Sequence, residues 1–384
     1  MDPSKFGKES ERYAFLVTYY DSLAGFDREY HLLYYTFDET IEMYDVKTKR
    51  VFLKRSKYPE VALKDLYKGA IVTINSRQLK VTEYSDDFTK NNFGSKKKYT
   101  LAMIKPDGVV HMGEIIDRIC KEGFQISKMK MTQLSVELAQ KFYAVHKEKS
   151  FYNTLVAYMT SGPIVALELV AENAVAKWRE LIGPTDCVQA RQVAPNSIRA
   201  LFATDKTHNA VHGSDSDENA EIESKFFFDS KGEIPATATF ENCSLAIILP
   251  HIVSEKAAIG QIILDIQKYG LDISALELFS LGKTDASDFL EVYRGVTPDF
   301  QKMVLNLCSG PIIAMEVTSK QSIDVVTTLR KVCGPPDPEL AQALRPDTIR
   351  AKYGVDKIRN AIHCTDLEDD GVLEVEFFFN LMQQ

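Results

Sequence analysis

The sequence contains a long internal repeat, and this repeat constrains the possible fold more than any other feature. Four segments recur in the same order: TLAMIKP as SLAIILP, GEII as GQII, SGPIVALE as SGPIIAME, and SIRA as TIRA. The offset between the copies grows only from 144 residues, between Thr100 and Ser244, to 151 residues, between Ser197 and Thr348. A period this long indicates a duplicated domain with small loop changes rather than a short solenoid repeat.

The repeat divides the chain into three parts, which we expect at residues 1–98, 99–237 and 238–384. With 384 residues, the chain is long enough for two or three domains that each bury a core. The two copies meet at the segment DSKGEIPATAT, residues 229–239, where glycine, proline and small residues predict a linker.

Each copy is predicted to alternate strands and helices. Buried strands are indicated by apolar runs, and helices by apolar residues at helical spacing. In the first copy the predicted strands are 100–104, 125–134 and 163–170, and the predicted helices are 113–122 and 137–146. The order β, α, β, α, β, with further short helices, indicates a sheet covered by helices on one face, an α+β sandwich.

The first 98 residues have a different pattern, in which apolar and polar residues alternate with a period of two. Such alternation, rich in Tyr, Phe, Val and Ile, predicts β-strands. The predicted strands are 13–20, 30–36, 41–45, 51–55, 70–75 and 79–84. Only 60–68 indicates a helix, so we expect a small β-rich barrel or sandwich.

Basic residues are concentrated between residues 47 and 57 of this domain. They are Lys47, Lys49, Arg50, Lys54, Arg55 and Lys57. Two interpretations stay open: a surface for an acidic partner or, more commonly for such a cluster, a solvated hairpin face.

Composition excludes several classes of protein. The net charge of −8 and a pI of about 5.5 argue against specific nucleic-acid binding. Six cysteines without a CxxC pair or a Cys/His cluster are typical of reduced thiols inside cells. No run approaches the roughly 18–20 apolar residues of a spanning helix, and the N-terminus lacks a signal-peptide core. We therefore expect a soluble, intracellular protein that has no membrane partner.

The two copies share a histidine motif, NAVHGSD at 209–215 and NAIHCTD at 360–366. Neutral imidazole is a good nucleophile near pH 7, and small neighbouring residues let a bulky anionic substrate approach it. His212 and His363 are therefore candidates for attack on phosphorus. A lone histidine is more often a satisfied core residue, but recurrence inside a long repeat favours the functional interpretation.

The ordered motifs IKPDG, SGP, SIR and NAVHGSD resemble the nucleoside diphosphate kinase family. The resemblance covers residues 99–228 well and 243–380 more loosely, about two thirds of the chain. It implies a ferredoxin-like α+β sandwich in each copy and a ping-pong reaction. In that reaction ATP phosphorylates the histidine, ADP leaves, and another nucleoside diphosphate collects the phosphoryl group, with Mg²⁺ as the cofactor.

The same resemblance assigns roles to residues of the first copy. His212 would be the phosphorylated nucleophile, Glu223 the carboxylate that orients it, and Ser214 the hydroxyl that supports Glu223. The catalytic positions are His212, Glu223, Lys105 and Tyr143. The nucleotide-binding positions are Lys105, Phe151, Leu155, Arg179, Thr185, Arg199 and Asn209. The arginines would neutralise phosphates, the apolar pair would clasp the base without reading its edge, and Mg²⁺ would be held mainly by the nucleotide's phosphates.

Two features of the first copy depart from the family pattern. Lys206 stands where the family has an apolar residue beside the base cleft. The stretch from Gly183 to Arg199 is about three residues longer than usual. Because that loop packs at subunit contacts in family hexamers, the resemblance does not predict an ordinary hexamer here.

The second copy retains much of the pattern but loses decisive groups. The retained positions are His363, Asn360, Arg330, Arg350, Tyr293, Thr365 and Glu374. The replaced positions are Leu249 for the lysine, His251 for the following acid, Pro336 for the threonine and Asp299 for the aromatic residue. We expect this site to be weak or inactive and the second copy to pair with the first, as subunits pair in family dimers.

A β domain followed by two such kinase domains resembles one branch of the family, whose N-terminal PH-like module is of a type found in doublet-microtubule proteins. Two functions follow from the resemblance. The first is a Mg²⁺-dependent kinase acting on ATP and nucleoside diphosphates. The second is a structural role with tubulin or axonemal microtubule proteins, in the cytoplasm, the cilium or flagellum axoneme, or a centrosome or basal body. No carboxylate cluster is seen that would favour nuclease activity.

Overall fold

The computed structural model describes residues 12–21, 24–59, 61–91, 97–229, 234–256, 258–321 and 323–383. Contacts divide the chain into two compact units. One contains the described residues up to Lys97 together with Ser280–Gly310, and the other contains Lys98–Phe279 and Pro311–Gln384. Since the repeat pattern assigns 280–310 to the second copy, the three domain bounds stay predictions. In these described ranges no helix is both long and apolar enough to cross a membrane.

Six antiparallel strands form the sheet of the first unit. They are β1 (Arg12–Asp21), β2 (Phe26–Tyr35), β3 (Thr40–Asp45), β4 (Val51–Lys57), β5 (Ile71–Ile74) and β6 (Arg77–Tyr84). Their order is β4-β3-β2-β1-β6-β5. All six predicted strands are present. The predicted helix at 60–68 is reduced to the short 3-10 helix Leu63–Asp65, because Gly69, with φ of +94° and its amide bonded to Val81 O, returns the chain to the sheet.

Both repeats contribute to one eight-stranded sheet in the second unit. The strands are β7 (Lys97–Ile104), β8 (Gln125–Thr132), β9 (Ile164–Glu172), β10 (Val211–Gly213), β11 (Ser244–Ile248), β12 (Asp272–Phe279), β13 (Ile312–Thr318) and β14 (Ile362–Cys364). Their order is β10-β7-β9-β8-β12-β13-β11-β14. Each repeat thus supplies four strands in the order fourth, first, third, second, which is the ferredoxin-like order, and the second repeat runs it in reverse.

The α-helices include the two predicted in the first copy, since Met112–Lys121 and Val136–Phe142 overlap 113–122 and 137–146, while no bounds were predicted for the others. In the first repeat they are Met112–Lys121, Val136–Phe142, Tyr152–Met159, Ala174–Ile182, Cys187–Val193, Ile198–Phe202 and Asp217–Phe228. In the second they are Ile259–Gln267, Lys283–Phe289, Phe300–Leu307, Val325–Cys333, Pro338–Leu344, Ile349–Tyr353 and Gly371–Phe379. A short helix, Asp87–Thr89, follows the N-terminal sheet.

The two repeats join through the sheet and through one pair of helices. Strands β8 and β12 are neighbours, with Lys130 opposite Glu277 and an ion pair of 3.5 Å between their side chains. Helices Met112–Lys121 and Ile259–Gln267 pack closely, because Gly260 lies against the backbone of the first helix. A single cluster of buried apolar residues spans both repeats. The second repeat is therefore part of the scaffold of the first.

The main local difference from the predicted order is a fourth strand in each repeat. Strands β10 and β14 are three residues long and carry the two histidine motifs. Three residues are too few for an alternating pattern to be recognised, so the sequence indicated only the motif and not the strand.

Candidate active site

His212 lies in the middle of edge strand β10, where it pairs with Met103 of β7. Its Nε2 is 3.1 Å and 3.2 Å from the two carboxylate oxygens of Glu223, on helix Asp217–Phe228. Ser214 Oγ donates to the same carboxylate at 2.6 Å. Among the described residues no group hydrogen-bonds to Nδ1. The carboxylate therefore fixes the ring and leaves one ring nitrogen open.

The backbone before His212 forms a strained turn. Ala210 has φ of +63°, and the Val211 amide donates to Asn209 O at 2.7 Å across it, the geometry of a γ-turn. A non-glycine residue in this region costs about 1–3 kcal/mol and persists only where its surroundings determine it. Here the Lys105 amide donates to Ala210 O at 2.8 Å, which ties the turn to the end of β7.

Behind the motif, Trp178 holds the backbone of β10. Its Nε1 donates to His212 O at 3.1 Å. A Cβ atom at Gly213 would lie 2.5 Å from the indole ring, so the glycine of the motif is required for this contact. The motif's small residue thus serves packing behind the strand in addition to any access for a substrate.

Four lysine or arginine side chains line the cleft that contains His212, and Lys105, Arg179 and Arg199 are the three with predicted nucleotide-binding roles. Lys105 is buried and donates to Asn209 Oδ1 at 2.8 Å. Its burial, together with the charge of Arg199, lowers the pKa of Lys105 to about 8. Burial, with the charge of Arg179, likewise lowers the pKa of Arg199 to about 10. Such desolvated cations interact strongly with an incoming phosphate.

Arg199 also has a structural role. Its guanidinium donates to Gly183 O at 2.9 Å and to Val211 O at 3.0 Å, while its buried Nε has no hydrogen-bond partner. The side chain therefore connects the loop after helix Ala174–Ile182 to the histidine strand.

The cleft has a volume of about 1020 Å³, and one end of it is apolar. Phe151 is 49% exposed and packs on the His146 ring, with 5.9 Å between ring centroids. Tyr143 is buried with an unpartnered hydroxyl, and burial, followed by the charge of Glu223, raises the pKa of Tyr143. An exposed aromatic face and a protonated phenol suit a ligand with a flat ring and an anionic group.

The structure brings the predicted catalytic and nucleotide-binding residues of the first copy to this one cleft, and Ser214 contacts it through Glu223. Its lining includes Lys105, Tyr143, Phe151, Leu155, Arg179, Thr185, Arg199, Asn209, His212 and Glu223. Lys206, the departure from the family pattern, also lines it and forms an ion pair with Asp186 at 3.0 Å. This placement is consistent with the assigned roles, which stay predictions.

Sequence reasoning missed two residues that support the strained turn. Asp107 accepts the Ala210 amide at 3.1 Å and a hydrogen bond from the Tyr158 hydroxyl. The IKPDG motif contains Asp107, but nothing in the sequence relates it to Tyr158, 51 residues later.

The second repeat keeps the histidine arrangement. His363 Nε2 is 3.3 Å from Glu374, and Thr365 Oγ1 donates to the same carboxylate at 2.8 Å. Arg350 donates to Gly334 O at 2.7 Å and to Ile362 O at 3.1 Å, as its counterpart does in the first repeat. Ala361 has φ of +78°, so the residue with positive φ before the strand is kept as well.

The second repeat lacks the buried lysine of the first, although it keeps both arginines and the asparagine. Leu249 replaces the buried lysine, so Asn360 loses that partner and its amide donates instead to Pro336 O at 3.3 Å. Arg330, whose counterpart lines the first cleft, donates to Asp366 O at 2.8 Å. The histidine therefore remains beside its carboxylate without the lysine that could contact a phosphate.

The carboxylates near His212 do not form a metal site. In the part of the chain that the structure describes, no group of three or more His, Cys, Asp or Glu side chains is arranged to hold a metal ion. Glu223 is engaged by His212 and Ser214.

Comparisons with known proteins show which proteins this chain is similar to. A family model described as "Nucleoside diphosphate kinase" matches residues 98–232 and 242–383, and one described as "Nucleoside diphosphate kinase 7 N-terminal PH domain" matches 7–95. Nucleoside diphosphate kinase homolog 7 of Rattus norvegicus is 45% identical over 97% of this chain and 94% of its own length. Nucleoside diphosphate kinase of Aquifex aeolicus is 51% identical over 34% of this chain and 92% of its own. An orthorhombic crystal form of the Aquifex aeolicus enzyme aligns with 50% identity and a TM-score of 0.33, covering 34% of this chain and 94% of that one.

Proposed function

Because the chain belongs to the nucleoside diphosphate kinase family, we propose that its first repeat transfers the γ-phosphoryl group of a nucleoside triphosphate to a nucleoside diphosphate through phosphohistidine at His212. The arrangement around this histidine carries the proposal. Its Nε2 faces Glu223, while Nδ1 has no hydrogen-bond partner in the described structure. The ring shares one cleft with Lys105, Arg179 and Arg199.

In the first half-reaction, Nδ1 of His212 attacks the γ-phosphorus. A nitrogen–phosphorus bond forms, the bond to the β,γ-bridging oxygen breaks, and the nucleoside diphosphate leaves with that electron pair. The imidazole gains positive charge as the bond forms, and the Glu223 carboxylate stabilises it through the Nε2–H. A second nucleoside diphosphate then removes the phosphoryl group by the reverse step.

The cationic side chains stabilise the charge on the moving phosphoryl group. Lys105, Arg179 and Arg199 line the cleft and offer N–H donors to phosphate oxygens. Lys105 is held by Asn209, so it is oriented before the nucleotide binds. Mg²⁺ bound to the nucleotide would supply further positive charge to its phosphates.

The apolar end of the cleft suits a nucleobase. Phe151 and Leu155 line it, and Phe151 offers a half-exposed ring face for stacking. Neither side chain has a donor or acceptor that could read a base edge, so we propose broad base specificity. The second repeat, which lacks the lysine, would act as the scaffold for the first rather than as a second active site.

Labelling with γ-labelled ATP and Mg²⁺ tests the proposal directly. The full-length protein, His212→Ala and His363→Ala are incubated with label, and acid-labile protein phosphate is measured. We expect label in the wild type and in His363→Ala and none in His212→Ala. Absence of label from the wild type, or its loss only in His363→Ala, would contradict the assignment.

A second function rests on the N-terminal domain, which is PH-like. We propose that it binds an acidic partner such as tubulin or an axonemal microtubule protein, placing the chain at the cytoskeleton of the cytoplasm or cilium. The supporting observation is the exposed basic cluster on and before edge strand β4. Lys47, Lys49, Arg50, Lys54 and Lys57 are all exposed there, while Arg55 is paired with Asp38 at 2.8 Å.

Charge reversal tests this surface better than deletion, because Ser280–Gly310 groups with the N-terminal domain and truncation would remove its neighbours. The double variant Lys54→Glu/Lys57→Glu is expected to weaken co-sedimentation with microtubules. The matched control is Lys80→Glu, an exposed lysine on β6 of the same sheet. Unchanged co-sedimentation of the double variant would remove this surface as the contact.

A further inference from the structure

Asp107 lies at the junction of the turn, the end of β7 and a helix. One of its carboxylate oxygens accepts the Ala210 amide at 3.1 Å, and the other accepts the hydroxyl hydrogen of Tyr158. Tyr158 is only 7% exposed and belongs to helix Tyr152–Met159. Burial, followed by the hydrogen bond to Asp107, raises the pKa of Tyr158, so the phenol stays a donor.

The Tyr158 ring also contacts the two groups that flank this turn. Lys105 Nζ lies 5.8 Å from the ring centroid, and the His208 ring packs edge-on at 4.5 Å. The pair formed by Asp107 and Tyr158 therefore touches the strained residue, the buried lysine and the segment before the turn. Each of these groups is close to the cleft: Ala210 and His208 are neighbours of Asn209 in the chain, and Lys105 lines the cleft itself.

The second repeat shows whether the backbone before the histidine needs the Asp107–Tyr158 pair in order to form. Asp107 corresponds to His251 and Tyr158 to Asn306, so both members are replaced. The positive φ of the turn and its tie to the first strand survive: Ala361 has φ of +78°, and the Leu249 amide donates to Ala361 O at 3.0 Å. The fold therefore forms this turn without the pair, and the pair is present in the repeat that also has the lysine.

We propose that Asp107 and Tyr158 are positioning residues for phosphoryl transfer, holding the turn and Lys105 in register with His212. The proposal rests on the function proposed above. The pair contacts Ala210 and Lys105 and does not itself line the cleft. Misplacing reactive groups by about 1 Å can cost on the order of 100-fold in rate, so loss of a hydrogen bond at this junction is expected to slow the reaction.

Asp107 has a second, electrostatic effect on the lysine. Burial and Arg199 lower the pKa of Lys105, and the negative charge of Asp107 opposes them. The other contacts of Lys105, Asn209 and the Tyr158 ring, are uncharged. Since the cationic lysine is the form that binds phosphate, kcat/KM should fall as pH rises through about 8. Without the Asp107 charge, the same fall should occur at lower pH.

Kinetics of the full-length chain with Mg²⁺–ATP and a nucleoside diphosphate test these roles. Tyr158→Phe is expected to lower kcat by roughly 10- to 100-fold with little change in KM. Asp107→Asn should lower kcat at least as much and shift the alkaline limb of the pH profile downward, a shift that Tyr158→Phe should not show. The matched control is Tyr152→Phe, the same change on the same helix at a hydroxyl that is bonded only to Gln140 O at 3.4 Å.

A readout that needs no turnover separates this proposal from the proposed function. Hydrogen exchange of the Ala210 amide should be faster in Tyr158→Phe than in wild type and unchanged in Tyr152→Phe. If wild type forms no phosphohistidine, the proposed function fails while exchange still tests the contact. Wild-type kcat and wild-type exchange in Tyr158→Phe would overturn the positioning role, as would equal losses in Tyr152→Phe.

Discussion

The two histidine sites have a similar backbone arrangement and differ in the charged side chains around the histidine. In both repeats a carboxylate holds Nε2 of the histidine, a hydroxyl holds that carboxylate, and an alanine with positive φ precedes the strand. The cationic lysine, by contrast, is present in only one. Retention of the histidine is therefore a weak sign of activity, because every contact that it makes to Glu374 is also compatible with a structural role.

The arginines at equivalent positions of the two repeats also have contacts that are compatible with a structural role. Arg199 and Arg350 each donate to a glycine carbonyl of the loop and to a carbonyl of the histidine strand. A residue that the family pattern assigns to phosphate binding therefore also holds two elements together. Such residues persist in the second repeat, whereas Lys105, whose side chain lines the cleft, is replaced there by Leu249.

The most direct test of the difference between the repeats is to replace Lys105 by leucine, the residue at the equivalent position of the second repeat. Lys105→Leu should lower kcat/KM by roughly 10- to 150-fold, since a charged hydrogen bond contributes about 1.5–3 kcal/mol. The control is Leu249→Lys, which should add no activity to a His212→Ala background. Near-wild-type kinetics for Lys105→Leu would mean that the arginines suffice.

Removing the charge beside each histidine sharpens the comparison. Glu223→Gln should lower kcat by about tenfold or more, because the imidazole charge that develops during attack loses its partner. Glu374→Gln makes the same change in the second repeat and should leave kcat unchanged. Steady-state kinetics of both variants decide the point, and equal losses would show that the second site takes part in turnover.

The helix pair at the junction offers a comparison in stability. A Cβ atom at Gly260 would lie 2.2 Å from the Asp117 backbone nitrogen, whereas one at Gly113 would meet the Leu264 side chain at 2.8 Å. Gly260→Ala should therefore lower the free energy of unfolding by about 1–3 kcal/mol. Gly113→Ala should be nearly neutral, because a side chain can move and alanine favours helix by about 1 kcal/mol. Urea unfolding measures both, and the reverse order would contradict the packing described.

The smallest expected effect concerns the pH dependence of the second site. Burial opposes charge on His363, but Glu374 outweighs it and the pKa of His363 is raised. Its contribution to stability is therefore present below its unfolded pKa of about 6.5 and lost as pH rises through the folded pKa. The difference in unfolding free energy between wild type and His363→Gln should shrink from roughly pH 5 to pH 9. A difference that grows with pH would contradict the raised pKa.

Much of this architecture could be predicted from the sequence, because the repeat supplied an internal comparison. Long apolar runs such as 100–104 and 163–170 predicted strands, and the ordered motifs predicted which distant residues share a cleft. What could not be predicted depends on short or long-range contacts. Strand β10 is too short to show a period, and the Asp107–Tyr158 contact joins residues 51 positions apart. The grouping of Ser280–Gly310 with the N-terminal domain is likewise a tertiary property.

Because the two repeats form one continuous sheet within a single chain, dilution does not separate them. Two separate subunits would dissociate at low concentration, but a covalent linker keeps the second repeat at an effective concentration on the order of millimolar beside the first. The surface provided by β12 and helix Ile259–Gln267 is therefore always supplied by the same polypeptide. A substitution deep in the second repeat is then expected to affect the His212 site of the same molecule, because no exchange with an intact partner can rescue it.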